Sequence, residues 1–182
     1  ADKSTDAGYV EGSLTYGLSD NTGKRRVAVS GITRNYTSNY DSQQISLKVG
    51  AGSPKEVVDG TYVTPFGSIA ATLLSSDAYT ETSDVVNDVL RFKVGQDDVA
   101  SVVGSVGVKA HRVTDMGTPM ISLAVNNEFG DNTINTSNQY TGGGAKFTTS
   151  TAIEELSATL GLGYSFGNDM TSLNIGYEAE AN

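Results

Sequence analysis

The sequence predicts an all-β fold: an antiparallel up-and-down (meander) transmembrane β-barrel, formed by residues 1–182 as a single domain. Apolar and polar residues alternate over short runs, which is the spacing of strands with two unlike faces. Stretches rich in Gly, Ser, Asn and Asp separate the runs, and helical spacing is nearly absent. A chain of 182 residues is long enough for one domain and short for two.

The strands are predicted from nine alternating segments. They are 9–18, 26–34, 43–50, 62–74, 89–95, 100–111, 118–128, 155–166 and 171–180. Turns are predicted between them, at 19–25, 35–41, 51–61, 75–88, 114–118, 129–150 and 167–170. The longest irregular stretch, 129–150, is expected to be a functional or mobile loop.

The strand directions follow from loop length and from two prolines. Outer-membrane barrels have short periplasmic turns and long extracellular loops. Pro65 and Pro119 each mark the start of a strand, so both strands should begin at the same edge. This requires an even number of steps between them, which holds only if segment 89–95 does not span the membrane. We therefore expect about eight spanning strands, with 75–98 forming one acidic extracellular excursion.

Alternation by itself fits two classes of protein. In a soluble sandwich the apolar face points to the core, and in a small membrane barrel it points to lipid. The barrel is favoured because the polar face carries small residues and charges of both signs, and several tyrosines lie near strand ends. A soluble secreted β-sandwich or a filament-forming structural protein remains the alternative. Dependence on detergent would distinguish them.

Parity within the strands assigns candidate faces. The predicted lumen-facing residues are Glu11, Lys48, Arg91, Lys93, Lys109, His111, Glu178 and Glu180. The predicted lipid-facing residues are Leu14, Leu47, Val106, Leu162 and Ile175. We expect the lumen charges chiefly to form ion pairs with one another, which limits the penalty of low dielectric.

Composition excludes several functions. The chain has 12 Lys and Arg against 21 Asp and Glu, a net charge of −9, which argues against a nucleic-acid partner. No cysteine is present, so there is no disulfide or thiolate chemistry. One histidine, His111, cannot build a zinc site, and no cofactor is expected.

One short motif resembles a hydrolase signature. Residues 163–167 match G-x-S-x-G, a pattern that needs a strand-to-helix turn and a histidine later in the chain. Here the pattern falls in an alternating segment, and His111 precedes Ser165. The sequence therefore predicts no enzyme.

Several motifs, taken in order, resemble autotransporter β-domains, the C-terminal translocators of type V secretion. They are Tyr9–Leu18 with Arg25-Arg26-Val27, Thr64-Pro65-Phe66-Gly67-Ser68, Asp77-Ala78-Tyr79-Thr80-Glu81-Thr82, Ser101–Gly107, Pro119–Gly130 with Asn127-Glu128-Phe129-Gly130, Gly161-Leu162-Gly163 and Ser172–Tyr177. Each motif is weak alone, but their order along almost the whole chain is fairly specific.

The resemblance implies a bacterial outer-membrane barrel that anchors or exports a passenger. Family barrels are expected to have twelve strands, a helix threading the pore and a final aromatic residue read by the assembly machinery. This chain resembles the middle and late strands only. Outer-membrane lipid, a passenger polypeptide and the barrel assembly machinery are the implied partners, and lumen charges in such a barrel would hold the threaded segment.

Overall fold

The computed structural model describes residues 2–5, 8–168 and 171–181, and this part of the chain is entirely β-structure, turns and loops. Within it, no helix is long and apolar enough to cross a membrane. In chain order the strands are β1 (Asp2–Thr5), β2 (Gly8–Val29), β3 (Ile32–Gly52), β4 (Lys55–Val58), β5 (Thr61–Ser76), β6 (Tyr79–Thr80), β7 (Thr82–Ser83), β8 (Phe92–Gln96), β9 (Val99–Arg112), β10 (Thr118–Glu128), β11 (Thr133–Tyr140), β12 (Phe147–Ala152), β13 (Leu156–Asn168) and β14 (Thr171–Ala181).

The main sheet is an antiparallel meander in the order β1-β2-β3-β5-β9-β10-β13-β14. The short strands β4 and β7 pair with β5 and β3. The sheet curls into a half-barrel, so it has a concave and a convex face. The predicted fold class, an all-β antiparallel meander, is confirmed.

The β2–β3 hairpin is longer than the sequence predicted. Segment 9–18 and the first four residues of segment 26–34 form one continuous strand, β2, and the rest of 26–34 passes through the reversal into β3. The turns predicted at 19–25 and 35–41 were therefore wrong. Every residue from Tyr9 to Val29 has a partner in β3. The chain reverses at Ser30 and Gly31, whose φ angles of 46° and 80° fit a two-residue type I′ turn. Polar residues of the kind common in turns therefore form part of a paired strand here.

The connections alternate between two ends of the sheet. At the short-turn end lie the connections around 53–60 and 113–117, together with the β13–β14 turn, whose residues 169 and 170 fall outside the described residues. At the long-loop end lie Ser30–Gly31 and the connections 77–98 and 129–155. Strands β5 and β10 run in the same direction, as expected from Pro65 and Pro119.

The two long connections form a second antiparallel sheet, in the order β12-β11-β8-β6, which we call the cap sheet. Residues 92–96 pair with β11 and β6 and have no partner in the main sheet, which agrees with the exclusion of 89–95 from the spanning strands. Loop 129–150 was predicted to be irregular, but it contains the hairpin β11–β12.

Charged and aromatic side chains attach the cap sheet to the upper hairpin, by which we mean residues 19–43. Arg25 donates from Nε and Nη2 to the Glu81 carboxylate at 2.8 and 2.6 Å. Its guanidinium also stacks over the rings of Tyr36 and Phe92, at 4.0 and 4.4 Å. The hydrogen bond that Arg25 donates to Glu81, itself 6% exposed, raises the pKa of Arg25. The contact therefore ties the 77–98 connection to β2.

The junction between the cap sheet and the upper hairpin contains buried apolar side chains. Among the described residues, the buried apolar side chains are Tyr36, at 1% exposure, and Val94, at 6%. No second layer covers the convex face of the main sheet in the described part of the chain. A soluble β-sandwich needs such a layer to bury its apolar faces, so that alternative was wrong.

Candidate functional site

The concave face of the main sheet is polar because strand register aligns polar positions into rows. One row runs from Ser68 through Ser105 and Asn126 to Ser157. Within it, the Asn126 amide donates to Ser157 Oγ at 3.2 Å and to Thr159 Oγ1 at 2.8 Å. The centre of the face is thus floored by small uncharged side chains that can exchange hydrogen bonds with a visiting chain or with water.

Charged residues surround this neutral floor. The concave face encloses a cavity of about 960 Å³, and the cavity is bordered by more acidic than basic side chains. They are Glu11, Glu128, Glu154, Glu155, Glu178 and Glu180, against Lys48 and Lys109. A cavity lined mostly by one sign of charge focuses the field of that charge. The interior is therefore negative.

Most of the predicted lumen residues border this cavity. They are Glu11, Lys48, Lys109, Glu178 and Glu180. His111 lies opposite Met120, a cavity residue, towards the short-turn end. Its ring stacks on Tyr62 with the centroids 5.1 Å apart.

Arg91 and Lys93 do not lie with the others. Lys93 belongs to β8 in the cap sheet, opposite Gln139 and Thr80. Arg91 precedes that strand and donates from Nε to the Asp88 carbonyl at 2.9 Å. Their prediction followed parity, but parity assigns a residue to a face of its own sheet and carries no information on which sheet the strand joins.

The expected mutual ion pairs are not formed in the described part of the chain. There, neither Lys48 nor Lys109 has a carboxylate oxygen within 4.0 Å of its nitrogen. The two ion pairs found are Arg25–Glu81 and Arg34–Asp88, both at the cap. Lys48 and Lys109 are therefore available to a further group.

The predicted lipid-facing residues lie at the opposite parity and are exposed. Their exposed fractions are Leu14 71%, Leu47 53%, Val106 67%, Leu162 49% and Ile175 60%. Register joins them into a continuous apolar surface, since Leu14 is opposite Leu47 and Val106 is opposite Val125. Leu162 and Ile175 also border the cavity. On the β2–β3 hairpin the apolar surface ends where Asp20 pairs with Asp41.

Sequence reasoning missed the structural part played by Glu128 at the end of β10. Its carboxylate accepts hydrogen bonds from the Ser101 hydroxyl at 2.6 Å and from the amides of Val102 and Gly130 at 2.7 Å. A Cβ at Gly130 would lie too close to the Ala100 carbonyl. The motif Asn127-Glu128-Phe129-Gly130 was the available signal, and its chemistry closes the β9–β10 pair at the long-loop end.

A single curled meander with a polar concave face and an exposed apolar convex face is the arrangement of a membrane barrel wall. The family model described as autotransporter beta-domain matches residues 1–178. The chain belongs to the autotransporter beta-domain family. A comparison with curated proteins gave no match.

Family membership identifies an outer-membrane translocator barrel, and a bacterial outer-membrane location follows from it. The autotransporter beta-domain is not a catalytic family. Residues 163–167, which resemble a hydrolase motif, lie inside β13 with no strand-to-helix turn. Among the described residues, no group of three or more His, Asp and Glu could hold a metal ion.

Proposed function

We propose that this autotransporter beta-domain forms part of the wall of a channel that exports a passenger polypeptide and then anchors it at the cell surface. One observation supports this above the others: a single layer of sheet has opposite chemistry on its two faces. Lipid would contact the convex face, and the passenger would move along the concave face. The barrel assembly machinery would be a further partner, during insertion.

The dimensions of the convex face suit an outer membrane. On β2 the apolar positions run from Val10 to Leu18, a stretch of nine residues. A tilted transmembrane β-strand needs about 9–11 residues to cross the hydrocarbon core. Above Leu18, Asp20 and Asp41 end the band. The upper hairpin and the cap sheet would then lie outside the membrane.

The concave face suits a passing chain better than a fixed ligand. An extended polypeptide presents amide groups at every residue, and a floor of Ser, Thr and Asn can exchange hydrogen bonds with any of them. Lys48 and Lys109 have no ion-pair partner in the described part of the chain, so they can meet acidic residues of the passenger. The carboxylates would favour neutral and basic segments.

Single-cysteine crosslinking tests the proposal, because the chain contains no cysteine of its own. The complete protein would be expressed in cells with a cysteine in the passenger segment and one cysteine in the barrel. Lys48→Cys and Lys109→Cys place the thiol on the concave face. Val106→Cys, three residues from Lys109 on the same strand, is the matched control on the convex face.

We expect disulfide-linked passenger with the two concave thiols and little with Val106→Cys. A lipid-soluble maleimide should show the reverse preference. Passenger captured equally from both faces, or from neither while export proceeds, would overturn the proposed path.

A further inference from the structure

A second cleft lies in the cap sheet, away from the main-sheet cavity. Its volume is about 400 Å³, within the range of roughly 300–1,000 Å³ typical of small-molecule sites. It is formed by the neighbouring strands β6, β8 and β11 and by the segment that leads into β12. None of its lining residues borders the main-sheet cavity.

The cleft is basic in a chain whose net charge is −9. Lys93 and Lys146 both border it, and no Asp or Glu is among its lining residues. In the described part of the chain, neither ammonium group has an ion-pair or hydrogen-bond partner. The arginines of the cap differ, because Arg25 and Arg34 each face a carboxylate. Two unpaired cations thus border the same cleft.

Register explains why the two lysines converge. Thr80, Lys93 and Gln139 are opposite one another on three adjacent strands, so their side chains share one face. Lys146 precedes Phe147, which pairs with Asn138, and so it comes next in this row. With strands ~4.8 Å apart, the two lysine backbones lie about 10 Å from each other. Their long flexible stems can bring both nitrogens onto one anionic group.

The floor and rim of the cleft are built for a polar ligand. Gly95 lies below the row and has no side chain, and a Cβ there would come 2.8 Å from Ser137 Oγ. The Gln139 amide donates to the Gly144 carbonyl at 2.8 Å, which folds the glycine turn 142–144 back and positions Lys146. The Thr80 hydroxyl has no hydrogen-bond partner in the described part of the chain. Ammonium and hydroxyl donors therefore face an open recess.

We propose that this cap cleft binds a phosphorylated saccharide. Lysine binds phosphate as a point charge, and two lysines match its double charge. The recess over Gly95 leaves more room than a phosphate ion fills, and hydroxyl and amide groups at its edge suit sugar hydroxyls. The ligand reaches the site from outside the membrane, either as a soluble sugar phosphate or as the phosphorylated sugar headgroup of a lipid.

Calorimetric titration of the complete protein in phosphate-free detergent tests the ligand class. The probes are glucose 6-phosphate, glucose and lipopolysaccharide. The variant is Lys93→Gln/Lys146→Gln, and the control is Lys24→Gln, an exposed lysine of β2 outside the cleft. We expect at least tenfold weaker binding of one phosphorylated probe to the double variant than to the control, and no binding of glucose.

Each outcome bears on the proposal. A loss seen with glucose 6-phosphate identifies a soluble ligand, and a loss confined to lipopolysaccharide identifies the lipid headgroup. Equal affinities of the double variant and the control for both phosphorylated probes would overturn the assignment, as would glucose binding as tightly as its phosphate. None of these results depends on passenger export.

Discussion

The lower and upper parts of the β2–β3 hairpin both alternate between two faces, but their outward faces carry different kinds of side chain. Below Asp20 the outward residues are apolar, such as Leu14 and Leu18, and the inward ones are polar, such as Ser13. Above Asp20 the outward residues Lys24 and Arg26 are exposed, and the inward Arg25 is half-buried against the cap. The outward face of one strand thus changes from apolar to charged, and the change occurs at Asp20.

The two regions differ in what stabilises them. In the main sheet, the stabilising interactions are mainly the backbone hydrogen bonds between strands, since its apolar side chains face outward and are exposed. The cap has buried side chains of its own, in Tyr36 and Val94, and buried carboxylates that are hydrogen-bonded. Apolar side chains are therefore buried in the cap and the upper hairpin, and exposed on the convex face of the main sheet.

A charge placed on the convex face should give the largest effect. Val106→Arg would put a guanidinium against lipid and should cost roughly 2–4 kcal/mol near mid-membrane. Lys109→Gln, on the same strand but on the cavity side, should cost much less. Unfolding of the complete protein from lipid vesicles by urea measures both. Equal losses at the two positions would contradict the assignment of the faces.

Removal of the Arg25 side chain should loosen the cap and leave the main sheet intact. Arg25→Ala leaves Glu81 buried without its charge partner, which should cost roughly 2–3 kcal/mol, since a hydrogen bond to a charged group contributes about 1.5–3 kcal/mol. Hydrogen exchange should accelerate in 79–96 and stay unchanged in β10 and β13. Arg26→Ala, on the outward face, is the control. If the amides of 79–96 exchange at the same rate in both variants, Arg25 does not hold the cap to the hairpin.

A substitution at the boundary between the main sheet and the cap should change the stability less. Phe129 is 71% exposed, and a Cβ at Gly104 would lie 2.8 Å from its ring, so the ring covers the bare backbone of β9. Phe129→Ala should cost about 1 kcal/mol in lipid vesicles. Met116→Ala, an 84% exposed residue in a turn at the short-turn end, should change stability little. If Phe129→Ala lowers the stability no more than Met116→Ala does, the Phe129 ring does not stabilise this part of the sheet.

Acid should give the smallest effect, and only in the cap. The hydrogen bond from the Leu90 amide, at 2.9 Å, together with the Ser83 hydroxyl, lowers the pKa of Asp88. A lowered pKa means that the ionised carboxylate stabilises the fold above about pH 4, and that this contribution is lost as the pH falls through the folded-state pKa. A protonated carboxyl can still accept a hydrogen bond from the Leu90 amide, so the loss is modest.

The NMR shift of the Leu90 amide between pH 7 and pH 3 reports this titration. We expect a shift below pH 4 in the wild type and none in Asp88→Asn. A shift that persists in the variant would assign the titration to another group.

The alternating pattern predicted the strands that have one polar and one apolar face, because successive residues of a strand point to opposite faces of the sheet. The same pattern failed from Ser19 to Arg25, where both faces meet water or the cap and the residues resemble a turn. It also misplaced Lys93, since the partner of β8 lies more than forty residues away, in β11. Pairing between strands so far apart in the sequence depends on how the two long connections pack together, and this cannot be predicted from local composition.

The exposed convex face bears on whether the sheet folds before or during its insertion into a membrane. Residues such as Leu14, Val106 and Ile175 stay uncovered even when every strand pair is formed. Strand pairing in water therefore leaves them exposed, and a large exposed apolar surface favours aggregation. We therefore expect the sheet to take its shape as it enters a membrane, with this surface covered by another protein until then.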